Sequence, residues 1–231
     1  MKLVIGNKNY SSWSLRAWLL LRNAGIPFDE EKISFNAPDF KKRVRRYSPA
    51  GKVPVLIDGD VIVWDTLSIA EYVAEKYWEK KLWPEDRAAR ARARSICAEM
   101  HSSFSAMRNR MSMNCELSLP TVLFETEVQR DVDRVVEIWR DCREGFKARG
   151  RFLFGEFTVA DAYFAPVTCR FVTYGTVLPE FARRYVDAIA SLPAMQDWLA
   201  AARAEHDFVE REEPYRHSST AASDVEEPTQ Q

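Results

Sequence analysis

Hydrophobic periodicity changes character once along this chain, near Pro84, and that change limits the fold to an α/β layer followed by a helical body. Ahead of it, short apolar runs alternate with helical patterns. The sequence predicts a strand at 2–6, a helix from about Ser14 to Asn23, a strand near 29–34 and a basic helix from about Pro38. Strands near 54–57 and 61–64 and a helix from Thr66 to Tyr77 follow. Asp58-Gly59-Asp60 between the last two strands is a hairpin signal. Leu67, Ala70, Val73, Ala74 and Tyr77 share one face of the helix after it. Beyond Arg87 strand signals nearly vanish. A helix opening in 88–96 is expected to run past Met107, and Val128, Val132, Val135, Trp139 and Cys142 repeat at 4, 3, 4, 3.

These patterns divide the chain into an α/β unit over residues 1–78, a polar linker over 79–87, an all-helical unit over 88–213 and a tail over 214–231. The tail is rich in Ser, Thr, Glu and Gln and has too few apolar residues to offset ordering entropy, so disorder is expected there. Thr158-Val159-Ala160-Asp161 has the form of a capping box before the apolar run 162–167, a folding signal rather than a chemical one.

Charge excludes some roles. The 33 basic and 34 acidic side chains nearly cancel, which argues against coating nucleic acid or an anionic membrane and favours a small-molecule site. No apolar run approaches the roughly 18–20 residues that span a bilayer. The N-terminus lacks a signal peptide's order of charge, apolar core and cleavage site, so the expected compartment is the cytoplasm. Cys97, Cys115, Cys142 and Cys169 are far apart with no C-x-x-C pair, and His101, His206 and His217 have no ligand spacing. Free buried thiols and no metal are expected.

Two strand-to-helix junctions carry candidate chemistry. At the first, Lys2-Leu3-Val4-Ile5-Gly6 runs through Asn7-Lys8-Asn9-Tyr10 into Ser11-Ser12-Trp13-Ser14-Leu15-Arg16. Hydroxyls there stand beside free N–H groups and the positive end of a helix dipole, an arrangement that stabilises an anion such as a thiolate. Capping by Ser11, Ser12 or Ser14 explains the same residues. At the second, Asp65-Thr66 precedes a helix and offers a carboxylate, a hydroxyl and further free N–H groups, with capping again the plainer role.

Together with Tyr47-Ser48-Pro49-Ala50-Gly51-Lys52-Val53-Pro54, these motifs resemble the cytosolic glutathione S-transferase family over nearly the whole chain. The Ser-Ser-x-Ser-x-Arg pattern is most similar to the zeta class and related bacterial serine-type proteins, with Trp13 where zeta enzymes carry a cysteine. The resemblance implies a thioredoxin-like N-terminal domain, with Val53-Pro54 at a cis-proline position, and a helical substrate-binding domain. It implies glutathione as cosubstrate, no metal, a small electrophilic second substrate and a homodimer.

The implied catalytic donors to the glutathione sulfur are Ser11 first and Ser12 second, with Tyr10 left open because other classes use a tyrosine. The implied glutathione-binding residues are Ser11, Lys52, Val53, Pro54, Asp65 and Thr66. Val53 would pair with the cysteinyl main chain, Asp65 and Thr66 would hold the γ-glutamyl end and Lys52 the glycyl carboxylate. Arg16 is either a ligand contact or a buried ion pair. Arg108, Arg110 and Arg170, with Phe104, Met107, Met111, Met113 and Phe171, either line an electrophile pocket or belong to surface and core. The basic run Lys41–Arg46 reads as a solvated helix or an anion-attracting rim. Conjugation by thiolate attack is the expected reaction. Glutathione-dependent cis-trans isomerisation of an unsaturated diacid, a peroxidase activity, or binding without catalysis are the alternatives.

Overall fold

The computed structural model describes residues 1–146 and 149–216; the part of the expected tail from 217 on lies outside them. Strand β1 (Lys2–Ile5) pairs parallel with β2 (Asp29–Lys32) and antiparallel with β3 (Val55–Asp58), which pairs antiparallel with β4 (Val61–Val63). The sheet order is therefore β2-β1-β3-β4. Leu3, Val4 and Ile5 are all fully buried because both faces of the sheet are covered. Side chains alternate across a strand, so Leu3 and Ile5 join the main core while Val4 joins Ile33, Val44 and Val55 in a smaller one. Helices α1 (Ser12–Asn23) and α3 (Thr66–Lys76) belong to the first side and the short α2 (Phe40–Val44) to the second.

Among the described residues after 86 the long elements are helices: α4 (Arg87–Ser102), α5 (Ser105–Arg110), α6 (Thr126–Gly145), α7 (Val159–Thr173), α8 (Glu180–Ala190) and α9 (Pro193–Arg203). Helix α7 is buried along almost its whole length and packs against α1, α4 and α8. Trp139 of α6 lies at the centre of this body, its ring 4.7 Å from Tyr185, 5.5 Å from Phe171 and 6.1 Å from Phe164, all edge to face. The stretch 79–87 is less open than its charge implied, since Leu82 and Trp83 are buried and the Leu82 carbonyl accepts the Val159 amide at the start of α7.

One expected helix is broken. The run from 88 past Met107 stops at Ser102 and resumes at Ser105, with Phe104 between them at φ 64°. The left-handed turn costs a non-glycine residue conformational energy, and here it sends the Phe104 ring into the core. The Arg108 guanidinium donates to the Met100 and His101 carbonyls that the interrupted helix leaves open.

The capping box forms as its sequence implied. The buried Asp161 carboxylate accepts from the Thr158 amide at 2.8 Å and hydroxyl at 3.1 Å, the Leu153 amide at 3.0 Å and the Tyr185 hydroxyl at 3.0 Å. Burial nevertheless pushes its pKa up to about 6. Asp161→Ala leaves several buried donors unpaired and is expected to cost at least about 3 kcal/mol in urea unfolding; a loss below about 1 kcal/mol would contradict this account.

Candidate active site

The loop between β1 and α1 is polar yet buried, and its bonds come from distant parts of the chain. Asn7 donates to the Asp207 carboxylate at 2.8 Å and accepts the Phe35 amide at 2.7 Å. Asn9 accepts the Cys115 amide at 2.6 Å and the Glu116 amide at 3.1 Å. The Tyr10 hydroxyl donates to Glu213, and burial together with that carboxylate pushes its pKa up, so the hydroxyl is committed inside the protein.

The serines divide their work. Ser11 is the N-cap of α1: its oxygen accepts the Ser14 amide at 3.3 Å and its hydroxyl donates to Ser14 Oγ at 2.7 Å, which in turn accepts the Gly6 amide at 3.1 Å. Ser12 stands one residue further in, half-buried, on the wall of the cleft. Trp13 follows, its ring 4.2 Å from the Arg16 guanidinium, 5.0 Å from that of Arg108 and 5.0 Å from the His101 ring.

Gly51, at φ 61°, turns the chain out of the loop after α2 toward Val53, and the Val53-Pro54 peptide is cis. Asp65 caps α3, one carboxylate oxygen accepting the Leu67 amide at 3.2 Å and the other standing 3.3 Å from His101 Nε2. The buried Thr66 hydroxyl pairs with the Tyr163 hydroxyl at 3.0 Å. Thus Trp13, Lys52, Val53, Pro54, Asp65, Thr66 and His101 surround one hollow of about 510 Å³. The same Trp13, Lys52 and Val53 also border a larger cleft of about 1070 Å³ that holds Tyr10, Ser11 and Ser12. The two N-terminal junctions therefore border neighbouring spaces that share Trp13, Lys52 and Val53 as walls. The sequence showed no reason to single out His101, a lone histidine without ligand spacing; the tertiary fold alone brings it to Asp65.

Cations dominate the larger cleft: Lys41, Lys42, Arg45, Lys52, Arg108, Arg170 and Arg211 line it against Asp39 and Glu212. Lys41, Lys42 and Arg45 of the basic run thus border this cleft. Arg170 is buried, donating to the Met111 carbonyl at 2.7 Å and the Pro166 carbonyl at 3.1 Å. Burial, then the neighbouring Arg108 charge, pulls its pKa down to about 10, and burial also lowers that of Arg108. Among the described residues no carboxylate bridges either of them. Arg16 is fully enclosed beneath, its Nε donating to the Tyr163 carbonyl at 3.1 Å, and burial pulls its pKa down to about 9. The ion-pair alternative for Arg16 is replaced by aromatic faces and a carbonyl. Met113 reaches the cleft, whereas Phe104, Met107, Met111 and Phe171 pack in the core and Arg110 pairs with Glu125 on the surface.

The four cysteines are free and buried, and burial raises the pKa of Cys97 and pushes that of Cys142 up to about 12, leaving both as inert thiols. Among the described residues no His, Cys, Asp and Glu side chains cluster as metal ligands, and no helix is long and apolar enough to cross a membrane.

Residues 10–76 match the family model described as the glutathione S-transferase N-terminal domain. The chain is 25% identical over 191 residues to glutathione S-transferase 1 of Dianthus caryophyllus, covering 78% of this chain and 82% of that one. It is 31% identical over 99 residues to a probable maleylacetoacetate isomerase of Caenorhabditis elegans, a match spanning 42% of this chain and 45% of the relative. The fold superposes on a bacterial maleyl pyruvate isomerase, described as a zeta-class glutathione S-transferase, with a TM-score of 0.70 and 20% identity, covering 90% of this chain and all of that one. Residues 10–76 thus match a glutathione S-transferase N-terminal domain, and the chain has the fold of the glutathione S-transferases.

The division between the serines has a measurable consequence. Ser11→Ala removes a helix cap and is expected to cost about 1 kcal/mol in chemical denaturation, while Ser12→Ala stays within about 0.5 kcal/mol of the parent. Equal losses would contradict the assignment of Ser11 as the cap.

Proposed function

We propose that the protein is a glutathione transferase in which the smaller hollow holds the tripeptide and the larger cleft holds a small electrophile. The observation that carries this reading is that the two spaces share Trp13, Lys52 and Val53 as walls, within a glutathione S-transferase fold. Val53 and Pro54 present main chain to the cysteinyl unit, Asp65 and Thr66 take the γ-glutamyl end, and Lys52 reaches the glycyl carboxylate. The γ-glutamyl ammonium suits the Asp65 carboxylate, whose second oxygen is exposed to the hollow beside His101.

An ordinary cysteinyl thiol, with a pKa near 8.5, is mostly protonated at pH 7, so the site must favour the thiolate. The N-terminus of α1 supplies the positive end of a helix dipole, and Ser12 supplies a hydroxyl that is not already committed to another side chain. Ser12 is therefore our preferred donor, and Ser11 supports it from the cap. The thiolate then attacks the electrophile from the wall of the cleft; for a conjugation the leaving group departs with the bonding pair. Residues 1–78 and 88–213 serve as the glutathione-binding and substrate-binding parts, joined through 79–87. A homodimer in the cytoplasm belongs to the same reading, and exposed Ile62, Trp64 and Trp78 are apolar surface that pairing would cover.

A second reaction is favoured by one observation. Arg108 and Arg170 line the cleft, held by carbonyls and without carboxylate partners among the described residues, so an anionic second substrate is favoured there. Glutathione-dependent cis-trans isomerisation of an unsaturated diacid uses that charge: the thiolate adds to the double bond, the single bond formed rotates, and the thiolate leaves again.

Calorimetric titration of glutathione in two buffers of different ionisation enthalpy tests the main reading. Binding near neutral pH is expected to release a proton, and Ser12→Ala to lower turnover at least about tenfold, equivalent to about 1.4 kcal/mol. Absence of glutathione binding would overturn the reading. Binding without proton release would leave a carrier. Arg170→Met is expected to raise KM for an anionic electrophile at least about tenfold while leaving that for a neutral one within a factor of about two.

A further inference from the structure

The chain after α9 folds back across the sheet end, and its acidic side chains meet the loop that carries the serines. Glu205, whose side chain is 6% exposed, receives the Lys8 amide at 2.8 Å on one oxygen and the Asn9 amide at 3.2 Å on the other. Asp207 receives the Asn7 side-chain amide at 2.8 Å and that of Asn36 at 2.8 Å. Glu213 receives the Tyr10 hydroxyl. Asn7, Lys8, Asn9 and Tyr10 are thus each bonded to a segment about two hundred positions away. Two of the bonded donors are main-chain amides, so Glu205 constrains the path of the chain into α1 and not merely a side chain.

The charge of these contacts is balanced from outside the loop. Lys32 stands 3.1 Å from Glu205, and Arg216 stands 2.9 Å from Glu213 and 3.2 Å from Glu116. The same segment places Arg211 and Glu212 on the wall of the larger cleft. A backbone held at this point sets the direction of the first free N–H groups of α1 and of the Ser12 hydroxyl. Charge stabilisation at a sulfur depends on that direction, because a hydrogen bond weakens steeply as its angle closes.

We propose that the strap of residues 205–216 positions the active site, with Glu205 as the main positioning residue, by holding the β1–α1 loop so that the N-terminus of α1 and Ser12 face the glutathione sulfur. This rests on the proposed transferase reading. The strap makes none of the contacts assigned to glutathione through Val53, Asp65 and Thr66, so its loss acts on the ionisation of the thiol and spares tripeptide binding.

Two measurements on the full chain test this. The first needs no ligand: amide hydrogen exchange at Lys8 and Asn9 is expected to be at least about tenfold faster in Glu205→Ala than in the parent. Unchanged exchange would show that the carboxylate does not hold the loop and would overturn the proposal. The second follows the thiolate absorbance of bound glutathione against pH. In Glu205→Ala the midpoint is expected to rise by about one pH unit, with kcat near neutrality about tenfold lower and glutathione affinity within about threefold of the parent. Glu205→Gln, which keeps one acceptor oxygen, recovers part of both. An unmoved midpoint overturns the proposal whatever happens to affinity, since a purely structural strap would weaken binding without changing ionisation. Should Glu205→Ala fail to fold, Asp207→Asn is read in the same way and is expected to move the midpoint less and in the same direction; no movement there also overturns it. Failure of the parent protein to bind glutathione overturns the transferase reading and this proposal with it, while leaving the exchange result as a separate finding about the loop.

Discussion

The buried polar loop Asn7–Tyr10 is the constraint around which the rest of the site is arranged. Removing amides and a phenol from water costs free energy unless each finds a partner, and a four-residue loop cannot supply enough partners for itself. This loop obtains them from the turn at Phe35, from Cys115 and Glu116 after α5, and from Glu205, Asp207 and Glu213 beyond α9. Those bonds tie the sheet, the middle of the helical body and its last segment to one point, which is also where the candidate thiolate site begins. Lys8 adds to the same knot, its ammonium 2.8 Å from Glu30 and over the rings of Trp18 and Trp198.

Capping and the proposed chemistry draw on the same side chains at this junction, and the geometry separates them. A helix start has several amides without intrahelical partners, and a hydroxyl that satisfies one has less freedom to serve a ligand. Ser11 takes the structural task through Ser14, so the neighbouring Ser12 is left for the cleft. Asp65 combines both tasks because a carboxylate has two oxygens: one caps α3 while the other lies beside His101 at the hollow. Thr66 is more strongly committed, since its hydroxyl meets Tyr163 of α7 and joins the edge of the α/β layer to the helical body.

The three arginines beneath and beside Trp13 follow a different rule from the surface pairs. Arg134, Arg94 and Arg184 each bridge a nearby carboxylate and are at least partly exposed. Arg16, Arg108 and Arg170 are held instead by carbonyl oxygens and aromatic faces, which satisfy N–H groups without neutralising charge. Burial lowers all three pKa values, and repulsion from neighbouring arginines adds to it at Arg16 and Arg170; Arg108 and Arg170 bring positive charge to the cleft. An anion entering there meets cations whose desolvation has already occurred during folding.

By itself the sequence determined the alternating α/β start, the hairpin at Asp58-Gly59, the helical body and the Thr158 capping box, because periodicity, turn chemistry and caps are local properties. It also brought forward Ser11, Ser12, Val53, Pro54, Asp65 and Thr66 as a set through family resemblance, and the tertiary fold lines two neighbouring spaces with them. The fold alone decided which serine is bonded as the cap and which keeps its hydroxyl uncommitted at the cleft, because Ser11 and Ser12 are chemically identical and differ only in register against Ser14. It also broke the expected long helix at Phe104, where burial of the ring outweighs helical continuity. His101, Arg16 and the strap carboxylates became legible only in three dimensions: the partners named for them lie from 36 to about two hundred positions away, and no local pattern reports a contact of that range.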